Sequence, residues 1–182
     1  MLSQQDNSLR VVVHTLGPRG TNCEAAAKLW LNRTHGGEGE IELHGTLEEG
    51  LDHLWGSPNS SVLLGCVVYP DLHGIVFKNL GRLELVDQFI MPTFNMVYAS
   101  RGQDRIRTAA THPAPRSLLD GKRLSVTVAT SNSKAAMLCR SGDVDSCITT
   151  LPAADEMGLT VLEDFGPVPM GFTVHAPKVL AR

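Results

Sequence analysis

The chain has 182 residues, 42% hydrophobic and 19% charged, with a formal net charge of −3 at pH 7. That length buries a proper core, as one domain or two small lobes. The near-neutral, slightly acidic balance excludes a general attraction for nucleic acid or anionic membrane, so an anionic ligand needs a local site.

The four cysteines, Cys23, Cys66, Cys139 and Cys147, are scattered without a C-x-x-C pair. This speaks against structural zinc or a disulfide framework and for a reducing compartment. Residues 1–8 are polar and read as a frayed tail instead of a signal peptide. No apolar run approaches the roughly 20 residues of a membrane span. A soluble, cytoplasmic protein is expected.

In chain order, the apolar, β-branched run Leu9 to Leu16 predicts a buried strand. Gly17, Pro18 and Gly20 break it. Thr21 or Asn22 then caps a helix with Glu24 in its first turn and Ala25 to Leu31 as its body. Strand, glycine turn and capped helix leave N–H groups and the positive dipole end at one spot, which suits a carboxylate or phosphate. The spacing is neither G-x-G-x-x-G nor a Walker A loop, so a nucleotide is not expected.

Thr34 to Glu40 is a glycine-rich loop, and Ile41 to His44 a short strand. Thr46 caps a helix from Leu47 to Leu54 with Glu48 and Glu49 in its first turn, and Ser61 to Val68 is a third strand. This β-α-β-α-β order predicts a parallel sheet with helices on its faces. Tyr69 to Gly74 reads as a turn at the carboxyl end of the third strand, where ligands of open α/β sheets sit.

Arg82 to Gln88 and Ile90 to Ala99 read as extended, the second interrupted at Met91-Pro92, and Gly102 to Arg107 as a loop. Ala110 to His112 runs into Pro113-Ala114-Pro115, and Arg116 to Leu119 makes a helical turn. Leu124 to Ala129 is a strand, and Thr130 to Ser133 caps a helix from Lys134 to Arg140, a second strand-to-helix anion site. A strand at Ser146 to Thr149, a helix at Leu151 to Met157 and a strand at Leu159 to Leu162 follow. Phe165 to Gly171 reads as a stiff linker into a last strand, Phe172 to His175.

The β-α alternation restarts after residue 100. Two α/β lobes are therefore expected, residues 9–95 plus 166–182 and residues 96–165, with a ligand cleft between them. No metal-ligand spacing and no cofactor loop emerges, so neither a metal nor a cofactor is expected.

Gly17-Pro18-x-Gly20-Thr21-x-x-Glu24-x-Ala26 resembles the opening signature of the prephenate dehydratase catalytic domain. Leu64 to Val76 is similar to that family's V-P-I-E-N-S-x-x-G-x-V segment with its centre altered. Thr111-His112-Pro113-Ala114 resembles S-H-P-Q, Ser131 to Ala136 resembles S-T-A-E-A-A, and Ile148 to Leu162 resembles A-I-A-S…Y-G-L-x-V-L. The segments run in the family's order from residue 11 to residue 176. The resemblance implies the family's two-lobed, periplasmic-binding-protein-like α/β fold, without the regulatory domain that usually follows.

The departures narrow it. The family's late T-R-F, whose Thr expels the substrate hydroxyl, aligns with Met170-Gly171-Phe172, and the first-loop hydroxyl pair has become Asn22-Cys23. This combination resembles the prephenate decarboxylases of peptide-antibiotic pathways, the bacilysin type and its aeruginosin and salinosporamide relatives. That implies loss of carbon dioxide from prephenate without aromatisation, giving a dihydro-4-hydroxyphenylpyruvate. Such chemistry needs no acid beside the ring hydroxyl and one proton for a ring carbon; an apolar wall at Met170, Gly171 and Phe172 fits it.

For holding the pyruvyl carboxylate, the caps Thr21-Asn22 and Ser131-Asn132-Ser133 are expected. Arg19 either adds charge there or stands as an exposed loop cation. For the proton, the candidates are His73, Asp71, Tyr69, His112, Cys23 and His14. Cys23, at a helix start, either has a lowered pKa or is a small packing residue. His112 is biased to extended backbone by Pro113 and either aims at the cleft or shapes a turn. Competing readings are a prephenate dehydratase and a non-catalytic binding protein for small carboxylates. A homodimer is expected.

Overall fold

The computed structural model describes residues 10–178. The expected tail, residues 1–8, and the last four residues lie outside the described residues. The chain divides into two compact units, residues 1–91 with 170–182 (unit 1) and residues 92–169 (unit 2).

Unit 1 is built on β1 (Val12–Leu16), β2 (Glu40–His44), β3 (Ser61–Cys66), β4 (Leu83–Pro92) and β10 (Pro169–Pro177), in the order β2-β1-β3-β10-β4. β1 pairs parallel with both β2 and β3, and β10 runs antiparallel to β3 with Phe172 opposite Cys66. The expected parallel sheet is thus a parallel trio extended by a returning strand. Two helices cover opposite faces. α1 (Asn22–His35) lays Ala26, Ala27, Trp30 and Leu31 against Val13, Val62, Leu64, Phe172 and Val174. α2 (Leu47–Gly56) lays Leu47, Leu51 and Leu54 against Leu63. Each leucine, valine or phenylalanine among them contributes about 1.5–3 kcal/mol by leaving water.

Unit 2 repeats the plan with β5 (Met96–Ser100), β6 (Thr108–Thr111), β7 (Ser125–Val128), β8 (Ser146–Thr150) and β9 (Thr160–Gly166), ordered β7-β6-β8-β5-β9. β6 is parallel to β7 and β8, while β5 is antiparallel to β8 and β9. One face packs Ala110, Cys147, Val97 and Ala99 on α4 (Asn132–Ser141) and α5 (Leu151–Glu156). The other packs Tyr98, Ile148 and Ala109 on Leu119 of the 3-10 turn Arg116–Leu119.

At four places the structure adds to or departs from the sequence reading. The turn expected at Tyr69 to Gly74 gives way at Leu72 to a helix, α3 (Leu72–Lys78), although Asp71 makes no side-chain cap bond to it. Residues 108–111 form a strand, held by parallel partners on both sides. The break expected at Met91-Pro92 falls just after it, at residues 93–95, because β4 runs on to Pro92 before β5 begins at Met96. The stretch 165–171 is strand on both sides of Pro167-Val168, because Thr93 pairs with Val168 through both backbone and hydroxyl and draws the prolines into register.

Candidate functional site

In each unit the candidate residues gather at the carboxyl edge of the parallel trio. In unit 1, β1 ends in Gly17, whose N–H donates to the His44 carbonyl, and Gly20 turns the chain at φ 78°, in the left-handed region that favours glycine. Thr21 is the N-cap of α1, its hydroxyl accepting from the Glu24 N–H at 3.4 Å. The Glu24 carboxylate folds back to accept from the Gly20 N–H at 2.6 Å and pairs with Lys28 at 2.6 Å. Burial raises the Glu24 pKa, but the Lys28 and Gly20 hydrogen bonds outweigh it and hold the group below its ordinary value. The positive end of α1 therefore already faces a carboxylate. α2 is closed the same way: Thr46 accepts from the Glu49 N–H, and the Glu49 carboxylate accepts from the Gly45 N–H.

α4 is different. Ser131 caps it by accepting from the Lys134 N–H at 3.0 Å, and its first turn carries no acidic residue. Ser133 lies in that turn, half-buried. Asn132 opens the helix: its carbonyl accepts from the Thr149 hydroxyl and its Nδ2 sits 4.0 Å from the Met96 sulfur. Its Oδ1 is buried and has no hydrogen-bond partner among the described residues. His112 follows the neighbouring strand β6; its Nδ1 accepts from the Ala114 N–H at 3.3 Å, which leaves the ring proton on Nε2. Burial holds His112 below its ordinary 6.5, so it is neutral at pH 7. His112 and Ser131-Asn132-Ser133 thus stand at the carboxyl ends of two adjacent parallel strands, β6 and β7.

The remaining candidates are distributed as follows. Arg19 is exposed and, with Glu24 and Lys28, lines an open groove of about 560 Å³ along α1 and β2. Asp71 and His73 are exposed at the start of α3. The Tyr69 hydroxyl donates to Glu48 at 2.6 Å, and burial together with that carboxylate pushes its pKa up to about 12. Of the two readings of Cys23, the small packing residue holds: it lies in the unit 1 core, and burial, aided by Cys66, pushes the thiol up to about 12 and keeps it protonated. Phe172 is no wall of a ligand site. It is 1% exposed and stacks on Phe89 at 5.7 Å, because strand alternation turns it onto the α1 face. Met170 packs at the border of that core, and Gly171 meets Val67, whose N–H donates to the Gly171 carbonyl.

Unit 1 also brings together a set of side chains that could ligate a metal. His14, Glu42 and His44 place one ligand atom each within 4.8 Å of one another. These positions lie far apart in sequence and meet only through the β1–β2 register, in which His14 faces Glu42. The one advance signal is that His44 and Glu42, two apart on a strand, share a face. His14, a candidate proton donor, is 3% exposed within this cluster.

No family model matches the chain. It is 26% identical over 179 residues to prephenate decarboxylase of Bacillus subtilis (strain 168), an alignment covering 90% of this chain and 85% of that protein. Among solved structures it is similar to GqqA, a novel type of quorum quenching acylase, at TM-score 0.60 and 13% identity. That match covers 93% of this chain but 65% of GqqA, so the chain spans just under two thirds of that protein's length. A periplasmic substrate-binding protein of an ABC transporter from Coxiella burnetii matches at TM-score 0.55 and 15% identity, over 91% of this chain and 84% of that one. The periplasmic VFT2 domain of BvgS from Bordetella pertussis matches at TM-score 0.56 and 16% identity, over 92% and 80%. These likenesses are of fold: the chain has the mixed α/β, periplasmic-binding-protein-like architecture.

Proposed function

We propose that this chain is a prephenate decarboxylase that keeps the ring hydroxyl, with α4 as the grip for the pyruvyl carboxylate. The observation that carries this reading is the contrast among helix starts. α1 and α2 close their own positive ends with Glu24 and Glu49, while α4 has Ser131, Asn132, Ser133 and Lys134 and no carboxylate of its own. The sequence likeness to a protein named prephenate decarboxylase supplies the substrate class.

In the reaction, the bond from the quaternary ring carbon to its carboxylate breaks and carbon dioxide leaves. Its electron pair moves into the adjoining ring bond, and the displaced π pair takes one proton at a ring carbon. The 4-hydroxyl stays, because neither Met170 nor Gly171 offers an acid to expel it. The Asn132 Oδ1, an acceptor lacking a donor, suits a substrate hydroxyl. His112 Nε2–H, at the end of β6 beside the start of α4, is the proton donor to test first. Cys23, a protonated and buried thiol, is the weaker choice.

Purified protein incubated with prephenate at neutral pH, with the product identified by mass and proton NMR, tests the reading. A non-aromatic product that has lost carbon dioxide and kept its hydroxyl is expected. Ser131→Ala should raise KM more than it lowers kcat, while costing about 1 kcal/mol of stability through the lost cap. Phenylpyruvate formed above the uncatalysed rate, or prephenate left unchanged, overturns it.

A further inference from the structure

A cluster of three imidazoles and a carboxylate lies on the α2 face of unit 1. His14 Nδ1 is 3.0 Å from His44 Nε2 and 3.4 Å from Glu42 Oε2, and His44 Nε2 is 4.0 Å from the same oxygen. The His53 ring, on α2, is centred 4.8 Å from that of His44 and 6.1 Å from that of His14. α2 comes this close because it carries Gly50: a Cβ there would stand 3.2 Å from His44 Cδ2 and 3.5 Å from His14 Cβ. His14 is 97% buried (3% exposed), and its second nitrogen, Nε2, has no partner among the described residues. Neither has the buried hydroxyl of Ser61. His14, His53, Glu42 and Ser61 all line one cavity of about 230 Å³.

We propose that His14, Glu42 and His44, with His53 in the fourth position, bind a divalent transition-metal cation of the zinc class. Two ligand atoms on a tetrahedral cation with bonds of about 2.0–2.2 Å stand about 3.3–3.6 Å apart, and the three observed edges bracket that range. A lone hydrogen bond between His14 and His44 uses one lone pair and leaves the Glu42 oxygen facing the same nitrogen. A cation at the centre of the triangle meets all three. Imidazoles with one carboxylate favour zinc, cobalt, nickel or copper over magnesium or calcium. With Nδ1 on the metal, His14 carries its proton on Nε2. The adjoining cavity has room for a water between that N–H and the Ser61 hydroxyl, the kind of outer contact that fixes a ligand's orientation. The ion clasps β1, β2 and α2, and this site does not rest on the proposed reaction.

The full chain, freed of metal by a chelator, is titrated with Co²⁺ as a spectroscopic probe and then with Zn²⁺. Uptake of one Co²⁺ per chain is expected, with the visible bands of a four-coordinate ion, no thiolate charge-transfer band, displacement by Zn²⁺ and a higher melting temperature. Glu42→Gln, on an exposed position of an edge strand, and His44→Ala should each weaken binding at least the roughly 10- to 100-fold that loss of an outer-shell partner costs. His53→Ala should alter the visible bands. If His44→Ala fails to fold, Glu42→Gln carries the test. No uptake, uptake indifferent to Glu42→Gln, or a thiolate charge-transfer band overturns the site.

Discussion

The middle strand of the parallel trio in unit 1, β1, turns His14 toward its helix α2, whereas β6, the middle strand of unit 2, turns Ala110 toward α4. The two units share one strand plan, yet six of the seven histidines belong to unit 1 and only His112 to unit 2. Beneath α4 the contact is made by Ala135, Ala136, Cys139 and Cys147, small and dry. Beneath α2 it includes imidazoles, and Gly50 makes the room. The helix starts differ in the opposite sense, closed by glutamates at α1 and α2 and open at α4. A sheet plan thus fixes where side chains stand and leaves their chemistry to be assigned separately to each copy.

The contrast in packing gives the largest expected effects. Phe172→Ala should cost about 3–5 kcal/mol in urea unfolding, since it empties the stacked aromatic core of unit 1. A change in KM with stability intact would return Phe172 to the ligand site. In unit 2 the matching insult is excess volume: Ala136→Leu, at a fully buried position, should cost about 1–3 kcal/mol.

Acid should separate the units next. Burial holds His14, His44 and His175 in unit 1 below 6.5. The unfolded chain therefore takes up protons first. In the chelator-treated protein, stability is fully present above 6.5 and falls as pH drops from there toward the lowered folded values. Hydrogen exchange, corrected for intrinsic rates and compared between about pH 7.5 and 5.5, should show protection lost first in unit 1. Equal loss in unit 2, which has His112 alone, would break the comparison.

Smaller still is the effect of giving α4 the ending that α1 and α2 have. Lys134→Glu should stabilise the chain by about 0.3–1 kcal/mol. It should also raise KM for prephenate on the order of tenfold, a change worth about 1.4 kcal/mol. Opposite signs in the two readouts are what an open anion grip demands. Last, Gly50→Ala should fail to deliver the roughly 1 kcal/mol that alanine gains over glycine in a free helix, because its Cβ meets Leu63 at 3.1 Å and His44 at 3.2 Å. A full gain would show that α2 is not held against the imidazoles.

Much of this was legible in the chain. The caps Thr21, Thr46 and Ser131 were readable because a short hydroxyl ahead of a helical run has a local job. β6 was not, since Thr-Ala-Ala-Thr has little strand preference and is extended by its neighbours. α3 was hidden by Pro70 and Gly74 and by the lack of a cap bond. Phe172 misled because proximity to Met170-Gly171 in sequence outweighed strand alternation. Of the imidazole cluster only the shared face of Glu42 and His44 was readable; the join of residue 14 to residues 42, 44 and 53 comes through tertiary pairing, which no local spacing encodes. The self-closure of α1 was half visible, as Glu24 in the first turn, but its reach back to Gly20 was not.

Unit 2 is one uninterrupted stretch, while β10 fills the place between β3 and β4 and is the last of the described strands to be made. During synthesis unit 2 therefore has all its strands before unit 1 does, reversing the usual amino-terminal-first order. Until β10 arrives, β3 and β4 wait with unpaired edges. The sheet that carries the imidazoles is the one left open longest to wrong partners, and a chain ended after residue 169 should carry a protease-resistant unit 2 beside a labile unit 1.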